Sequence, residues 1–468
     1  SLSLTATLGM LMSGPLSDRY GRRPVLMVAA VLFAISAVTS ALAPDFLSFV
    51  LARMLGGFGV GAALIVAPMY IAEIAPPEQR GRMVSINQLN IVIGISAAFF
   101  SNYLILALGE SGAPWTESIG LGEQGWRWML AVEALPAIAY FLALFGVPES
   151  PRWLVMQGRD DAAKAVVTRL RGPAQAKALL VQVHDSLAAE EELGQVGFRA
   201  LLHPSLRLVL TIGLAVGILQ QATGINAVFF YAPMIFEQTG VGTNAAFMQA
   251  VLVGLVNLLF TVVAMTLIDK LGRRPLLGFG LGGITVCMLL LAYGFGTATY
   301  KLDQQAIDAL SADIDRAEIA AVVDTTFHSD VEFREAVRAA IGVEAYKAHE
   351  SELVTAAIDA NPWLILVAIL GFVASFAMSI GPIMWVLFSE LFPNRVRGIA
   401  ISFVGLVNSA VAFLVTLTFP WELETLGNSL TFLIFAGIAL VGMLFVMRIL
   451  PETKGRSLEE LEALLARG

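Results

Sequence analysis

Long apolar runs constrain this chain more than any other feature. They recur at roughly 1–17, 24–43, 47–73, 83–108, 127–147, 205–237, 245–268, 275–297, 362–390, 397–419 and 427–450. A helix of about 20 such residues matches the hydrocarbon thickness of a bilayer. Helices also satisfy their own backbone groups where no water can. Composition agrees, with 57% hydrophobic and 14% charged residues, where soluble domains hold about half and a quarter. The expected fold is therefore an all-α membrane protein with eleven spans. Cys287 is the only cysteine, and the four histidines at 184, 203, 328 and 349 form no cluster. Thiolate and imidazole metal sites are thereby excluded. No G-x-x-x-x-G-K-[ST] loop is present to drive pumping with ATP. Neither a cofactor nor a nucleic-acid partner is expected.

The connections between spans fall into two kinds. One kind carries Arg19, Arg22, Arg23, Arg80, Arg82, Arg152, Lys270, Arg273, Arg274, Arg395, Arg397 and Arg448. The other, at 43–46, 109–126, 238–244 and 420–426, has no Lys or Arg. Basic loops stay in the cytoplasm, so the chain should end there, in a multi-pass protein of the plasma (inner) membrane. An internal repeat relates the halves: GPLSDRYGRRP at 14–24 returns as IDKLGRRP at 268–275, and YIAEIAPPEQRG at 70–81 as FSELFPNRVRG at 388–398. PESPR at 148–152 likewise returns as PETKG at 451–455. Two spans precede the second GRR loop and one precedes the first, so one helix is expected to be missing from a pattern of two six-helix bundles.

These spans divide the chain into 1–148, an N-terminal bundle; 149–204, a cytoplasmic helical linker; 205–297, the first part of a C-terminal bundle; 298–361, an insertion; 362–450, the rest of that bundle; and 451–468, a cytoplasmic tail. The insertion holds thirteen acidic and five basic residues. It is expected to be an extracytoplasmic, partly helical acidic cap, helical around 306–321 and 331–360. The linker shows helical periodicity around 162–170 and 176–192.

The motifs DRYGRRP, RMLGGFGVG, PMYIAEIAP, GWRWM, PESPRWL, QQATGIN, DKLGRRP, GPIMWVLFSELFP and PETKGRSLEEL run in one order through nearly the whole chain. In them the chain resembles the sugar porter family of the major facilitator superfamily. Phe376–Gly398 is most similar to the bacterial xylose–proton symporter branch, and the animal glucose facilitators are also related. The resemblance implies the major facilitator fold, a monosaccharide substrate, proton coupling and a functional monomer in a lipid bilayer.

Within GILQQATGIN, the amides of Gln220, Gln221 and Asn226 suit sugar hydroxyls, since each carries two donors and an acceptor. On an unbroken helix they would point at roughly 0°, 100° and 240°. Thr223 and Gly224 between them predict a local break, the device by which transporters build midplane sites. The resemblance adds Gln88, Asn257, Trp385 and Asn408 as substrate residues, with the Trp385 face stacking on the sugar. It also marks Phe230 and Tyr231 as an outer gate, although core packing explains them as well. A second amide placed seven residues beyond Gln88 in some xylose carriers is here Ile95, which leaves the sugar open.

Arg53 and Glu133 are charges inside spans and hence candidates for proton coupling; in proton-coupled relatives the arginine faces an aspartate on the first helix. A residue such as Glu133 near an interface is also explained by hydration. The resemblance implies a cytoplasmic charge network of Asp18, Arg22, Glu73, Arg80, Glu149 and Arg152 set against Asp269, Arg273, Glu390, Arg397 and Glu452, pairing differently in the two transport states. Gly56, Gly57, Gly59 and Gly61 sit within a span with no strand before them, which favours close helix packing over a dinucleotide loop. The reading is a secondary transporter, not an enzyme, working by alternating access. Proton symport is favoured, with facilitated diffusion or a non-transporting sugar sensor as alternatives.

Overall fold

The computed structural model describes residues 2–75, 80–173, 176, 180–181, 183–185, 201, 203, 206–239, 242–310, 316–392 and 396–454. Two compact units divide the chain: Ser1–Ile91, Leu104–Leu210 and Phe392–Ala410 in the first, Val92–Tyr103, Thr211–Leu391 and Val411–Gly468 in the second.

The first unit is built on α1 (Leu2–Tyr20), α2 (Arg22–Ala41) and α3 (Phe46–Ile74), with α3 packed on both others. A methyl group at Gly59 would stand 3.0 Å from the Ala29 carbonyl, and one at Gly61 would collide with the Ala6 backbone. The glycine run therefore serves close helix packing, as expected of it. Helix α4 (Arg80–Gly109) follows, then α5 (Pro114–Ser118), α6 (Gly125–Ala131) and α7 (Ala134–Ala143). The 127–147 stretch is thus divided at Val132 and Glu133. Pro136 supplies the reason, because it has no N–H for the Val132 carbonyl one turn back. Linker helices α8 (Pro151–Met156) and α9 (Asp160–Arg171) complete the unit, and Trp153, Leu154, Val155 and Ala163 form a small core between them. Most of the helix expected at 176–192 lies outside the described residues.

The second unit contains α10 (Arg207–Ala222, from Thr211 on), α11 (Ile225–Glu237), α12 (Gly242–Leu271) and α13 (Arg273–Gly296). After an insertion come α18 (Pro362–Met378), α19 (Ile380–Leu391), the later part of α20 (Arg397–Thr425) and α21 (Gly427–Ile449). Helix α12 packs on α11 and α18, while α13 packs on α18 and α21.

Among the described residues, nine stretches are long and apolar enough to cross a membrane. The remaining two expected spans are helical but differ. Helix α1 runs into Asp18 and Arg19 before it ends, and the 127–147 stretch is broken.

The insertion folds around a core of its own. It comprises β1 (Thr299–Tyr300), α14 (Gln304–Ala309), α15 (Arg316–Ile319), a 3-10 turn, α16 (Asp330–Ile341), α17 (Val343–Ala357) and β2 (Ile358–Asp359). Strands β1 and β2 pair antiparallel and close its base. Tyr300, Ile319, Phe333, Val337, Tyr346 and Leu353 are each at most 1% exposed. Phe333 stacks on Tyr300 with centroids 5.5 Å apart and meets Phe327 edge-on at 5.9 Å. Burial pushes the phenols of Tyr300 and Tyr346 well above their usual titration range.

Candidate functional site

Two broken helices meet in the second unit. The first break separates α10 from α11, with Gly224 in the left-handed region at φ 88°. Only glycine adopts that backbone without strain, and a methyl group there would stand 3.0 Å from the Phe435 ring. The second separates α18 from α19 at Ser379 (φ −127°, ψ −101°). Pro382, three residues on, cannot donate to the Met378 carbonyl.

Amides join the two breaks. Asn226 Nδ2 donates to Gln221 Oε1 at 2.7 Å, Gln221 Nε2 to Gln220 Oε1 at 3.1 Å, and Gln220 Nε2 to the Gly381 carbonyl at 3.2 Å. The break lets three side chains that an intact helix would scatter form one relay. Gln220 is buried at 6% exposure, whereas Gln221 and Asn226 are half-buried. Trp385 lies one turn beyond Gly381 on α19, is 44% exposed, and meets Phe388 edge-on at 6.1 Å. Asn257 on α12 is 5% exposed, and among the described residues its amide has no hydrogen-bond partner. Tyr231 packs on Phe419 at 5.4 Å and its hydroxyl reaches the Thr416 carbonyl at 3.5 Å; Phe230 is 57% exposed.

Gln88, half-buried on α4, and Asn408, 7% exposed on α20, belong to the first unit. That unit also brings together Arg53 and Glu133, 80 residues apart in the chain. Arg53 Nη1 donates to Glu133 Oε2 at 2.9 Å and Nη2 to Oε1 at 3.3 Å. The pair lines a cavity of about 310 Å³ with Ser36, Gly56, Pro136 and Tyr140. The turn ahead of Pro136 is what presents Glu133 to Arg53. The sequence does not reveal this pairing, because 80 residues separate the two charges. Arg127 was missed entirely: its guanidinium donates to the carbonyls of Ala41 and Ala43 at 2.7 and 2.9 Å, where it stabilises the C-terminal end of α2.

At the opposite end of each unit lies an ion cluster of one design. In the first, Arg22 donates to Glu73 at 2.9 Å and to Asp18 at 3.0 Å, and the Glu149 carboxylate accepts from the backbone N–H of Arg22, Arg23 and Ser150. In the second, Arg273 donates to Glu390 at 2.7 Å, and Glu452 accepts from the backbone N–H of Arg273, Arg274 and Lys454. Each carboxylate sits on a helix N-terminus, where the exposed N–H groups and the dipole favour an anion. Gly21 and Gly272 make the turn at φ 102° and 93°, and a side chain on either would strike that carboxylate. Arg152 is half-buried beside Ser150. The side chains of Arg80, Asp269 and Arg397 lie outside the described residues.

Residues 1–312 and 339–465 match the family described as "Sugar (and other) transporter". Over 468 residues the chain is 37% identical to the arabinose-proton symporter of Bacillus subtilis, covering 99% of this chain and 85% of that protein. It is 34% identical to the D-xylose-proton symporter of Escherichia coli, over 98% of this chain and 84% of the relative. The inward-open structure of the E. coli xylose transporter superposes with a TM-score of 0.72 at 32% identity, over 99% of this chain and 87% of that one. A partially occluded inward-open structure of the same transporter gives 0.71 at 30% identity, over 97% and 87%. The fold is that of the major facilitator superfamily, and the chain belongs to its membrane-spanning sugar transporter family.

Proposed function

We propose that this protein is a secondary transporter that moves a monosaccharide across the membrane by alternating access in symport with protons. The observation that carries the reading is the amide relay at the Gly224 break, with buried Asn257 and exposed Trp385 on neighbouring helices of the same unit. Amides read hydroxyls and an indole face covers C–H groups, the two surfaces a pyranose presents. Gln88 and Asn408 complete the substrate set, and Phe230 with Tyr231 form the outer gate. Arg53 and Glu133 carry the coupling: protonating Glu133 releases Arg53 from its charged partner. The similarity to an arabinose-proton and a D-xylose-proton symporter supports symport over facilitated diffusion or sensing.

Around this site the chain forms two helix bundles, with 149–204 and 451–468 on the cytoplasmic side and 298–361 on the other. The Arg22 and Arg273 clusters stabilise one transport state over another, a few kcal/mol of differential pairing being enough to tilt the equilibrium. The protein works as a monomer in the inner membrane.

The test is uptake into liposomes holding the full chain, with labelled xylose, arabinose and glucose, with and without an imposed proton gradient. Gradient-driven uptake that Asn257→Ala abolishes supports the proposal. No uptake of any of the three, or uptake indifferent to the gradient and to Asn257→Ala, rejects it.

A further inference from the structure

Helix α16 of the insertion presents Asp330, Arg334 and Arg338 at intervals of four, which places them on one face. That face reads the turn between α20 and α21. Asp330 Oδ2 accepts from Asn428 N and Nδ2, both at 3.0 Å, at the N-terminus of α21. Arg334 Nη1 donates to the Leu423 carbonyl at 3.3 Å in the last turn of α20, and Arg338 Nη2 pairs with Glu424 at 2.9 Å. An anion thus meets a helix start and cations meet a helix end, both favoured by the helix dipoles. Asp330 and Arg334 are 9% and 4% exposed, so water screens this docking little. Gly427 turns at φ 78°, and a side chain there would collide with the Asp330 carboxylate. The three residues fall in 313–338, between the two stretches that match the family.

One turn before Leu423, Phe419 is fully buried, stacks on Phe435 with centroids 6.2 Å apart, and packs on Tyr231 at 5.4 Å. Phe435 is in turn the ring against Gly224. The clamped turn is therefore connected by packed aromatic rings to Tyr231 and to the break that sets the amide relay.

We propose that Asp330, Arg334 and Arg338 are positioning residues for transport: they clamp the 423–428 turn and, through Phe419 and Phe435, hold Tyr231 and the Gly224 break in register for sugar. Spatial continuity alone does not establish coupling, so the test measures coupling. The inference rests on the transport reading. A wild-type protein that takes up none of the three sugars sinks that reading, whereas an active wild type with unresponsive variants sinks this inference alone.

The experiment uses the full chain in liposomes and whichever of xylose, arabinose and glucose it takes up fastest. Arg338→Glu and Glu424→Arg are each expected to raise KM about three- to fivefold, in line with reversing a partly exposed ion pair, with the maximal counterflow rate within about twofold of wild type. The double variant restores KM, and in a Phe419→Leu background the single swaps no longer shift it. Arg338→Gln, a milder change, is read the same way if a charge swap fails to fold. Unchanged KM in the singles, no rescue in the double, or a full shift in the Phe419→Leu background overturns the proposal.

Discussion

The two units treat the same helix of the repeat in opposite ways. In the first, α3 runs unbroken from Phe46 to Ile74 and carries a charge, Arg53, held by Glu133. Its counterpart in the second unit, from Pro362 to Leu391, breaks at Ser379 and offers a neutral carbonyl, Gly381, to Gln220. Yet both end in the same ion cluster, Glu73 on Arg22 and Glu390 on Arg273. The ends of the repeat share their electrostatics while the middles differ, one holding an ion pair and the other a chain of neutral amides. We read the protein as placing coupling in the first unit and centring recognition on the second, with Gln88 and Asn408 completing the substrate set.

Breaking recognition should have the largest effect. Gln221→Ala takes the acceptor from Asn226 Nδ2 and the donor from Gln220 Oε1, while Gln220 keeps its bond to the Gly381 carbonyl, at about 1–3 kcal/mol for each lost partner. Labelled-sugar uptake should fall by ten- to a hundredfold or more, in gradient-driven and counterflow assays alike. Glu133→Gln should separate the functions: accumulation against a gradient drops to equilibration, roughly a tenfold loss for one pH unit of driving force, while counterflow persists. If counterflow fails equally, the division between units is wrong.

The shared ends predict a matched pair of smaller effects. Gly21→Ala and Gly272→Ala each force a side chain into the left-handed region against a carboxylate, at about 1–3 kcal/mol. Thermal unfolding in detergent should show the two within about 0.5 kcal/mol of one another. The smallest effect concerns the insertion. Its fold keeps Tyr300 and Tyr346 protonated above the ordinary phenol value of 10.0. Their contribution to stability is complete below about pH 10 and declines as pH rises beyond it. Tyrosinate absorbance should therefore rise late, together with loss of the insertion's helical signal.

Much of this was legible in the chain because the bilayer imposes length and the repeat imposes order. The apolar runs located the long helices, and Thr223-Gly224 between amides marked the first break. The second break carries the same kind of local signal in Ser379, Gly381 and Pro382, embedded in the GPIMWVLFSELFP motif. The Arg53–Glu133 pair was hidden because contact between residues 80 apart leaves no local pattern. The core of the insertion is not visible in its composition. Thirteen acids indicate a solvated surface, and Tyr300, Phe333 and Tyr346, spread over 47 positions, converge on one core beneath it. Only the fold aligns Asp330, Arg334 and Arg338 with the 423–428 turn.

The division of labour is tested most directly by following protons and sugar together. Liposomes containing a pH-sensitive dye and the full chain, without an imposed gradient, receive external sugar. Wild type should acidify the interior as sugar enters, Asn257→Ala should do neither, and Glu133→Gln should admit sugar with no change in dye signal. Acidification that survives Glu133→Gln at the wild-type rate would contradict the account.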